Sequence, residues 1–205
     1  MQLRSRFQAP ELAYQRRWLA LGVVCVSLMV IGLDNTILNV ALPTLARSLH
    51  ASTSSLQWIV DTYTLVFAGL LLTAGSLGDR FGRRRMFAIG LVLFALSSAA
   101  CALAPDTAAL ITARAVQGAG AATIMPMALA LLNGAFPPEH RGWAIGIYGS
   151  VTGLAAVLGP VLGGAVTQGL GWRWIFWINV PVALAAVPLV LSRLPEARGP
   201  GGRPG

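Results

Sequence analysis

The sequence predicts an all-α integral membrane protein with six transmembrane helices, and three observations support this fold class. Hydrophobic residues make up 56% of the 205 residues and charged residues only 11%, whereas an ordinary globular domain carries about 25% charged residues. The mean hydropathy is +0.69. Six apolar stretches are long enough to cross the hydrocarbon core, which takes roughly 20 residues. A water-soluble domain is excluded because too little polar surface remains to cover a globule.

The six stretches divide the chain into a short N-terminal segment, a membrane domain and a tail. Each stretch is predicted to be a helix because a lipid-exposed backbone must satisfy its own hydrogen bonds. The first is interpreted as a retained span rather than a signal peptide, because it is long and five more spans follow. We predict a cytoplasmic segment at 1–17, the six-helix domain at 18–193 and a flexible Pro-, Gly- and Arg-rich tail or linker at 194–205. The predicted spans are Trp18–Leu42, Leu56–Leu77, Met86–Ala104, Ala108–Leu132, Trp143–Val166 and Trp174–Leu191.

The arginines predict the orientation of the spans. Every one of the fifteen basic residues is Arg, and the net charge is +8. With a cytoplasmic N-terminus, twelve arginines fall on the inner side and only Arg47 and Arg173 on the outer side, as the positive-inside rule requires. The excess charge therefore reflects membrane topology, and nucleic-acid binding is not expected.

Three ionisable residues lie inside the predicted spans, where such groups are costly and mark functional sites. They are Asp34, Asp61 and Arg114. At about 1.5 Å per residue, all three lie in the outer half of the bilayer, which permits one shared polar site. In one interpretation Arg114 only neutralises a buried aspartate and holds helices together. In the other, a carboxylate in a low-dielectric cavity exchanges protons near neutral pH or accepts a cationic substrate.

Two aromatic residues flank Asp61 and extend the functional interpretation. Trp58 and Tyr63 could offer a cation–π surface to an organic cation, or they could simply pack. Cys25 and Cys101 lie within apolar runs and are interpreted as small buried hydrophobes. The sequence carries no metal-ligand spacing, nucleotide-binding loop or triad motif, so we predict no metal, no cofactor and no enzymatic activity.

Six strings carry a resemblance to a known family. In chain order they span Leu33–Pro43, Trp58–Tyr63, Gly75–Arg85, Leu110–Gly120, Gly153–Gly164 and Trp172–Pro181. Together they resemble the signatures of drug:proton antiporters of the major facilitator superfamily, in its fourteen-helix branch. The string at Trp58–Tyr63 is similar to exporters of quaternary ammonium compounds. The resemblance covers about residues 10–195.

The resemblance implies a gate between spans 2 and 3. The residues it assigns to this gating loop are Gly75, Asp79, Arg80, Gly82, Arg83 and Arg84. Glycine permits a tight turn here. Asp79 opposes the helix macrodipole, so it is expected to cap span 3 or to pair with an arginine. The alternative is that the arginines serve only as a topology anchor.

The resemblance also implies an antiporter motif in span 5. Its residues are Gly153, Gly159, Pro160, Gly163 and Gly164. Small residues allow close helix contact, and Pro160 removes a backbone hydrogen bond and permits a kink. The motif is expected to shape the exchange cycle and restrict leakage, unless it serves packing alone.

The architecture implied by the resemblance is one half of a transporter, built as two inverted three-helix repeats. The implied function is proton-coupled efflux of cationic drugs across a bacterial inner membrane. Asp34 would carry the proton, with its proton affinity tuned by Arg114, and Asp61 with Trp58 and Tyr63 would attract the drug. Membrane lipid, protons, the drug and a missing C-terminal half or second copy are the expected partners. The alternative is a transport-incompetent half that accompanies a full-length transporter.

Overall fold

A computed structural model describes the backbone of residues 3–194 and the side chains of residues 17–194. This part of the chain consists of six α-helices and contains no β-strand. All six helices are long and apolar enough to cross a membrane, which confirms the predicted fold class. The predicted tail lies outside the described residues, except for Leu194. The helices are α1 (Leu3–Ser48), α2 (Thr53–Phe81), α3 (Arg83–Leu103), α4 (Thr107–Ala135), α5 (Pro138–Gly169) and α6 (Arg173–Arg193).

Every helix begins before its predicted span, and all except α3 also end after it, because hydrophobicity marks the thickness of the bilayer, while the ends of a helix depend on capping. Ser52 begins α2 by accepting a hydrogen bond from the Ser55 amide, and Asp106 begins α4 by accepting one from the Ala109 amide. α1 departs furthest from the prediction, since its backbone is already helical at Leu3. The predicted N-terminal segment is therefore continuous with the first span in its backbone.

Helix packing repeats after three helices. α2 packs chiefly on α4, and α5 packs in the same way on α1. α3 packs on α4, α6 packs on α1, and α3 and α6 contact each other. Because each set of three spans crosses the membrane an odd number of times, the second set is inverted relative to the first. The packing therefore has the form of two inverted three-helix repeats.

Burial differs strongly among the helices. In their most apolar stretches, α1, α3 and α4 are each 56% buried, whereas α2 is 17% buried and α5 is 11% buried. α2 and α5 occupy equivalent positions in the two repeats. Each therefore presents a long apolar face that the rest of the described chain does not cover.

The glycines of the α5 motif play two different structural roles. A Cβ atom on Gly159 would collide with the Thr36 side chain, and one on Gly163 would press against Ile37. These two glycines therefore allow close contact between α5 and α1, and the Thr36 hydroxyl donates to the Ala155 carbonyl at 3.3 Å. In contrast, a Cβ on Gly153 or Gly164 would meet no atom within 4 Å. Close helix contact is therefore found at only part of the predicted motif.

This difference predicts opposite effects for two matched substitutions. Gly159→Ala should destabilise the helix bundle by about 1–3 kcal/mol, because the added methyl group overpacks the contact between α1 and α5. Gly153→Ala should be neutral or stabilising by up to about 1 kcal/mol, because alanine favours the helix and meets no neighbour. SDS titration in mixed micelles, followed by far-UV circular dichroism, measures both free energies of unfolding. Equal effects would show that Gly159 does not make the close contact.

Candidate functional site

A group of polar side chains lies at the centre of the bundle, and we call it the central polar cluster. It draws on four helices, and each member is at most 3% exposed. Polar atoms buried this deeply require hydrogen-bond partners. The members are Asp34 from α1, Ser98 from α3, Arg114 and Gln117 from α4, and Asn179 from α6.

An ion pair between Asp34 and Arg114 forms the core of this cluster. Nη1 of Arg114 lies 2.5 Å from Oδ2 of Asp34, and neither side chain is exposed. The same nitrogen donates to Oε1 of Gln117 at 2.8 Å. Nη2 donates to Oδ1 of Asn35 at 3.2 Å, and Nε donates to the Ile59 carbonyl at 3.4 Å. Every nitrogen of the guanidinium group therefore has a partner, and Arg114 links α4 to both α1 and α2.

The second carboxylate oxygen of Asp34 is held by two amide groups. Nε2 of Gln117 donates to Oδ1 at 3.0 Å, and Nδ2 of Asn179 donates to it at 2.7 Å. Both amides also donate to the Ser98 hydroxyl, at 2.7 Å and 3.3 Å respectively. Charge-assisted hydrogen bonds of this kind are stronger than neutral ones. They connect Asp34 directly to α4 and α6, and through the Ser98 hydroxyl to α3.

Sequence reasoning missed much of this shell. Gln117 and Asn179 lie within two of the strings that carry the family resemblance, and Ser98 lies in none, but no pattern in the sequence indicates a role for these three side chains. The available signal was polarity, because each is a hydrogen-bonding side chain within an apolar span. Cys101 contacts the cluster as well as filling space, with its sulfur 3.6 Å from Oε1 of Gln117.

Tyr63 covers the guanidinium group from the α2 side. Its ring lies 4.1 Å from Cζ of Arg114 and is parallel to the Phe67 ring, with the ring centroids 6.3 Å apart. The Tyr63 side chain is buried, and within the described part of the chain its hydroxyl group lies near the Asn35 side chain without a hydrogen bond of ordinary geometry. An unpaired buried hydroxyl costs free energy, so this group is available to a ligand.

A cavity of about 250 Å³ lies beside Tyr63, between α1, α2, α4 and α5. Most of its wall is apolar, with a few hydrogen-bonding groups, which is the usual composition of a small-molecule site. Asn35 belongs to this wall and also accepts from Arg114, so the cavity adjoins the central polar cluster. The lining residues are Leu28, Ile31, Gly32, Asn35, Tyr63, Thr64, Phe67, Met125 and Thr152.

Asp61 and Trp58 do not reach the central polar cluster. Both are exposed on α2, and Asp61 makes no ion pair within residues 17–194. The expectation of one shared site for the three ionisable residues of the spans is therefore met only by Asp34 and Arg114. The reason is helical geometry, because Tyr63 lies about 200° around the helix from Asp61. Asp61 lies one turn from Thr64, at one edge of the cavity wall, but it does not itself line the cavity.

The predicted gating loop contains only one residue outside a helix. Gly82 has φ of 102°, a conformation that favours glycine, and it separates the end of α2 from the start of α3. Asp79 pairs with Arg83, whose Nη2 lies 2.8 Å from Oδ1. Nη1 of Arg84 donates to the Leu194 carbonyl at 3.0 Å and so ties the start of α3 to the end of α6. Gly75 and Arg80 lie on α2, both within the helix.

The described side chains contain no group of three His, Cys, Asp or Glu residues that could hold a metal ion. Cys25 and Cys101 are both free thiols. The chemistry available at the central polar cluster is therefore that of one buried carboxylate, one guanidinium group and the neutral side chains that orient them.

Comparison with known proteins gives a consistent picture. A profile of the Major Facilitator Superfamily matches residues 24–205. The puromycin resistance protein of Streptomyces alboniger is 46% identical over 187 residues, which cover 91% of this chain and 37% of that protein. The tetracenomycin C resistance and export protein of Streptomyces glaucescens is 44% identical, over 89% of this chain and 34% of that protein. The chain thus spans about a third of the length of these relatives.

A solved structure shares the fold. It is a bacterial homologue of the human lysosomal transporter Spinster in an inward-facing, unoccupied conformation, with a TM-score of 0.72. The match covers 92% of this chain and 46% of that protein at 20% sequence identity. The arrangement of six helices described above is therefore one that occurs within a transporter.

The buried ion pair predicts a non-additive effect on stability. Arg114→Met should destabilise the bundle by about 3–5 kcal/mol, because it leaves the Asp34 carboxylate buried without its counter-ion. Combining Arg114→Met with Asp34→Leu should recover much of this loss, because no charge then remains in the core. The same SDS titration measures both variants. A double variant that shows the sum of two large losses would mean that the residues stabilise the bundle independently.

Proposed function

The chain belongs to the major facilitator superfamily, and we propose that it forms the N-terminal six-helix half of a proton-coupled antiporter that exports organic cations. The single observation that carries this proposal is the position of the Asp34–Arg114 pair beside a mostly apolar cavity that carries a few hydrogen-bonding groups. A carboxylate in such a place can bind and release a proton while a solute occupies the adjoining space. Two relatives are named for resistance to drugs, and one of them also for export.

Asp34 is proposed to carry the coupling proton. Protonation would remove the negative charge of the pair and leave Arg114 without a counter-ion, so its contacts with Asn35 and the Ile59 carbonyl would gain importance. These two contacts connect Arg114 to α1 and α2. A change in protonation would therefore alter how α1, α2 and α4 are held against one another.

The drug is proposed to occupy the cavity beside Tyr63. Its cationic group would lie near Asp61, one helical turn from Thr64 in the cavity wall, with Trp58 on the same exposed side of α2. The unpaired Tyr63 hydroxyl would supply a hydrogen bond. In this arrangement Asp61 acts by charge attraction, and the cavity contributes apolar contact.

The second half is proposed to pack against α2 and α5, the two least buried helices. The cavity would then be enclosed between the halves, and the Gly153 side of α5 would face the partner. The arginine-rich end of the bundle is proposed to face the cytoplasm of a bacterial cell. There the Asp79–Arg83 pair and the contact between Arg84 and Leu194 would hold the gate.

The proton-coupling role predicts the behaviour of Asp34→Asn in a protein that contains both halves. This variant keeps the size of the side chain but cannot release a proton. Drug-induced proton release in detergent, followed with a pH indicator in weakly buffered solution, should fall to background while drug still binds. Asp61→Asn at saturating drug is the matched control and should retain proton release. Unchanged release in Asp34→Asn would remove Asp34 from coupling.

The binding roles predict a difference between charged and uncharged drugs. Asp61→Asn should weaken the binding of a quaternary ammonium drug, because it removes the charge attraction. The loss should be about tenfold in affinity, or 1–2 kcal/mol, because desolvation offsets much of that attraction. The same variant should leave the affinity for an uncharged substrate unchanged. Tyr63→Phe retains the ring over Arg114 and should weaken both drugs by about fivefold through one lost hydrogen bond. Binding titrations with the two drugs measure these effects. Equal losses for both drugs in Asp61→Asn would assign Asp61 to coupling or folding.

A further inference from the structure

We propose that the bundle binds one anionic phospholipid at its arginine-rich end, with an acyl chain between α1 and α6. This site is separate from the central polar cluster and from the cavity beside Tyr63. It consists of two neighbouring cavities, one apolar and one polar, which share Trp18 as a common wall.

The apolar part is a groove of about 540 Å³ formed by matching positions on two antiparallel helices. Its α1 wall follows the pattern i, i+1, i+4, i+5, i+8, and so does its α6 wall. Small residues lie near its middle, where Gly22 of α1 leaves open space and Ala185 and Ala186 face it from α6. The complete lining is Trp18, Leu19, Gly22, Val23, Val26, Pro181, Val182, Ala185, Ala186 and Leu189.

The length and direction of the groove fit a chain within one leaflet. From Trp18 to Val26 the helix rises about 12 Å, whereas half of the hydrocarbon core is about 15 Å thick. The groove begins near the arginine-rich end of the bundle, where α1 enters the membrane and α6 finishes at Arg193. An acyl chain that hangs from this interface therefore fills the groove to about the middle of the bilayer.

The polar part of the site adjoins the end of this groove that lies nearest the arginine-rich end of the bundle. A cavity of about 300 Å³ is lined by two basic side chains, Arg17 and His140, and by the rings of Trp18 and Trp143. Trp18 meets Trp143 edge to face with ring centroids 5.3 Å apart, and tryptophan is enriched at the level of the lipid headgroups. Among the described residues, no carboxylate lines either cavity. The remaining lining residues are Phe136 and Pro137.

Charge selects the headgroup. The helix ends at this side of the bundle carry Arg80, Arg83, Arg84, Arg85, Arg141 and Arg193 as well as Arg17, against Asp79 and Glu139. Basic sites beside transmembrane helices recruit anionic headgroups. Arg17 and His140 therefore provide hydrogen-bond donors for the phosphate group of a lipid. The net positive charge around them favours an anionic lipid over a zwitterionic one.

Native mass spectrometry of the purified protein tests the proposal with two lipids that have identical acyl chains. Phosphatidylglycerol should bind about fivefold more tightly than phosphatidylcholine, one molecule per chain, as expected for one arginine near the headgroup. Inorganic phosphate in excess should not displace it, because the groove holds the acyl chain. Equal binding of the two lipids, or displacement by inorganic phosphate, would overturn the proposal.

Two variants separate the parts of the site. Gly22→Leu adds a side chain where a Cβ meets nothing within 4 Å, so it should fill the groove without distorting α1 and weaken both lipids by about tenfold. Gly169→Leu adds the same side chain in open space at the far end of α5 and should change neither. Arg17→Gln should reduce the affinity for phosphatidylglycerol to that for phosphatidylcholine. Arg47→Gln, at the opposite end of α1, should leave both affinities unchanged.

The variants also distinguish other occupants of the groove. Unchanged lipid binding in Gly22→Leu would show that the lipid lies elsewhere and would overturn the proposal. A dimer that Gly22→Leu dissociates would assign the groove to a second copy of the chain instead. Neither result depends on transport, so a failure here leaves the proposed efflux function standing.

Discussion

A carboxylate and a guanidinium group lie together in the middle of a membrane bundle, and the bilayer offers them no water. Each charge must therefore find its partners within the protein. Asp34 obtains them from α4 and α6, and Arg114 obtains them from α1, α2 and α4. This requirement fixes which helices must meet at the centre of the bundle. It also explains why Ser98, far from α2, takes part in holding the pair through two amide groups.

The same requirement separates the two sides of Arg114. On the side towards α3 and α6, the side chains of the cluster hydrogen-bond to one another around Oδ1 of Asp34. On the side towards α2, the guanidinium group is covered by the Tyr63 ring, whose face attracts a cation but leaves the phenol hydroxyl unpaired. The ion pair is therefore enclosed by hydrogen-bonded side chains towards α3 and α6, whereas towards α2 a polar group remains without a hydrogen bond. The cavity beside Tyr63 lies on this α2 side.

Hydropathy and charge placement were enough to predict the spans, because the bilayer imposes a length and a polarity on any helix that crosses it. The meeting of Asp34 and Arg114 could also be anticipated, since they occupy equivalent first helices of two repeats. Depth alone could not place Asp61, because successive residues turn by about 100° around a helix and two positions separate opposite sides. Asn179 was missed because an uncharged amide in an apolar span does not reveal its partner. Nor could spacing distinguish Gly159, where a Cβ would collide with Thr36, from Gly153, where a Cβ would meet no neighbouring atom of the described residues within 4 Å.

α6 connects the central polar cluster to the apolar groove of the proposed lipid site. Asn179 holds Oδ1 of Asp34, and Pro181, two residues later, lines the groove between α1 and α6. Proline removes one backbone hydrogen bond, so this segment of α6 resists bending less than an uninterrupted helix. Pro181 and Asn179 are separated by about 3 Å of helix rise, so the stretch of α6 that lacks this hydrogen bond includes the residue that orients the buried carboxylate. The helix that borders the groove is therefore also the helix that holds Oδ1 of Asp34.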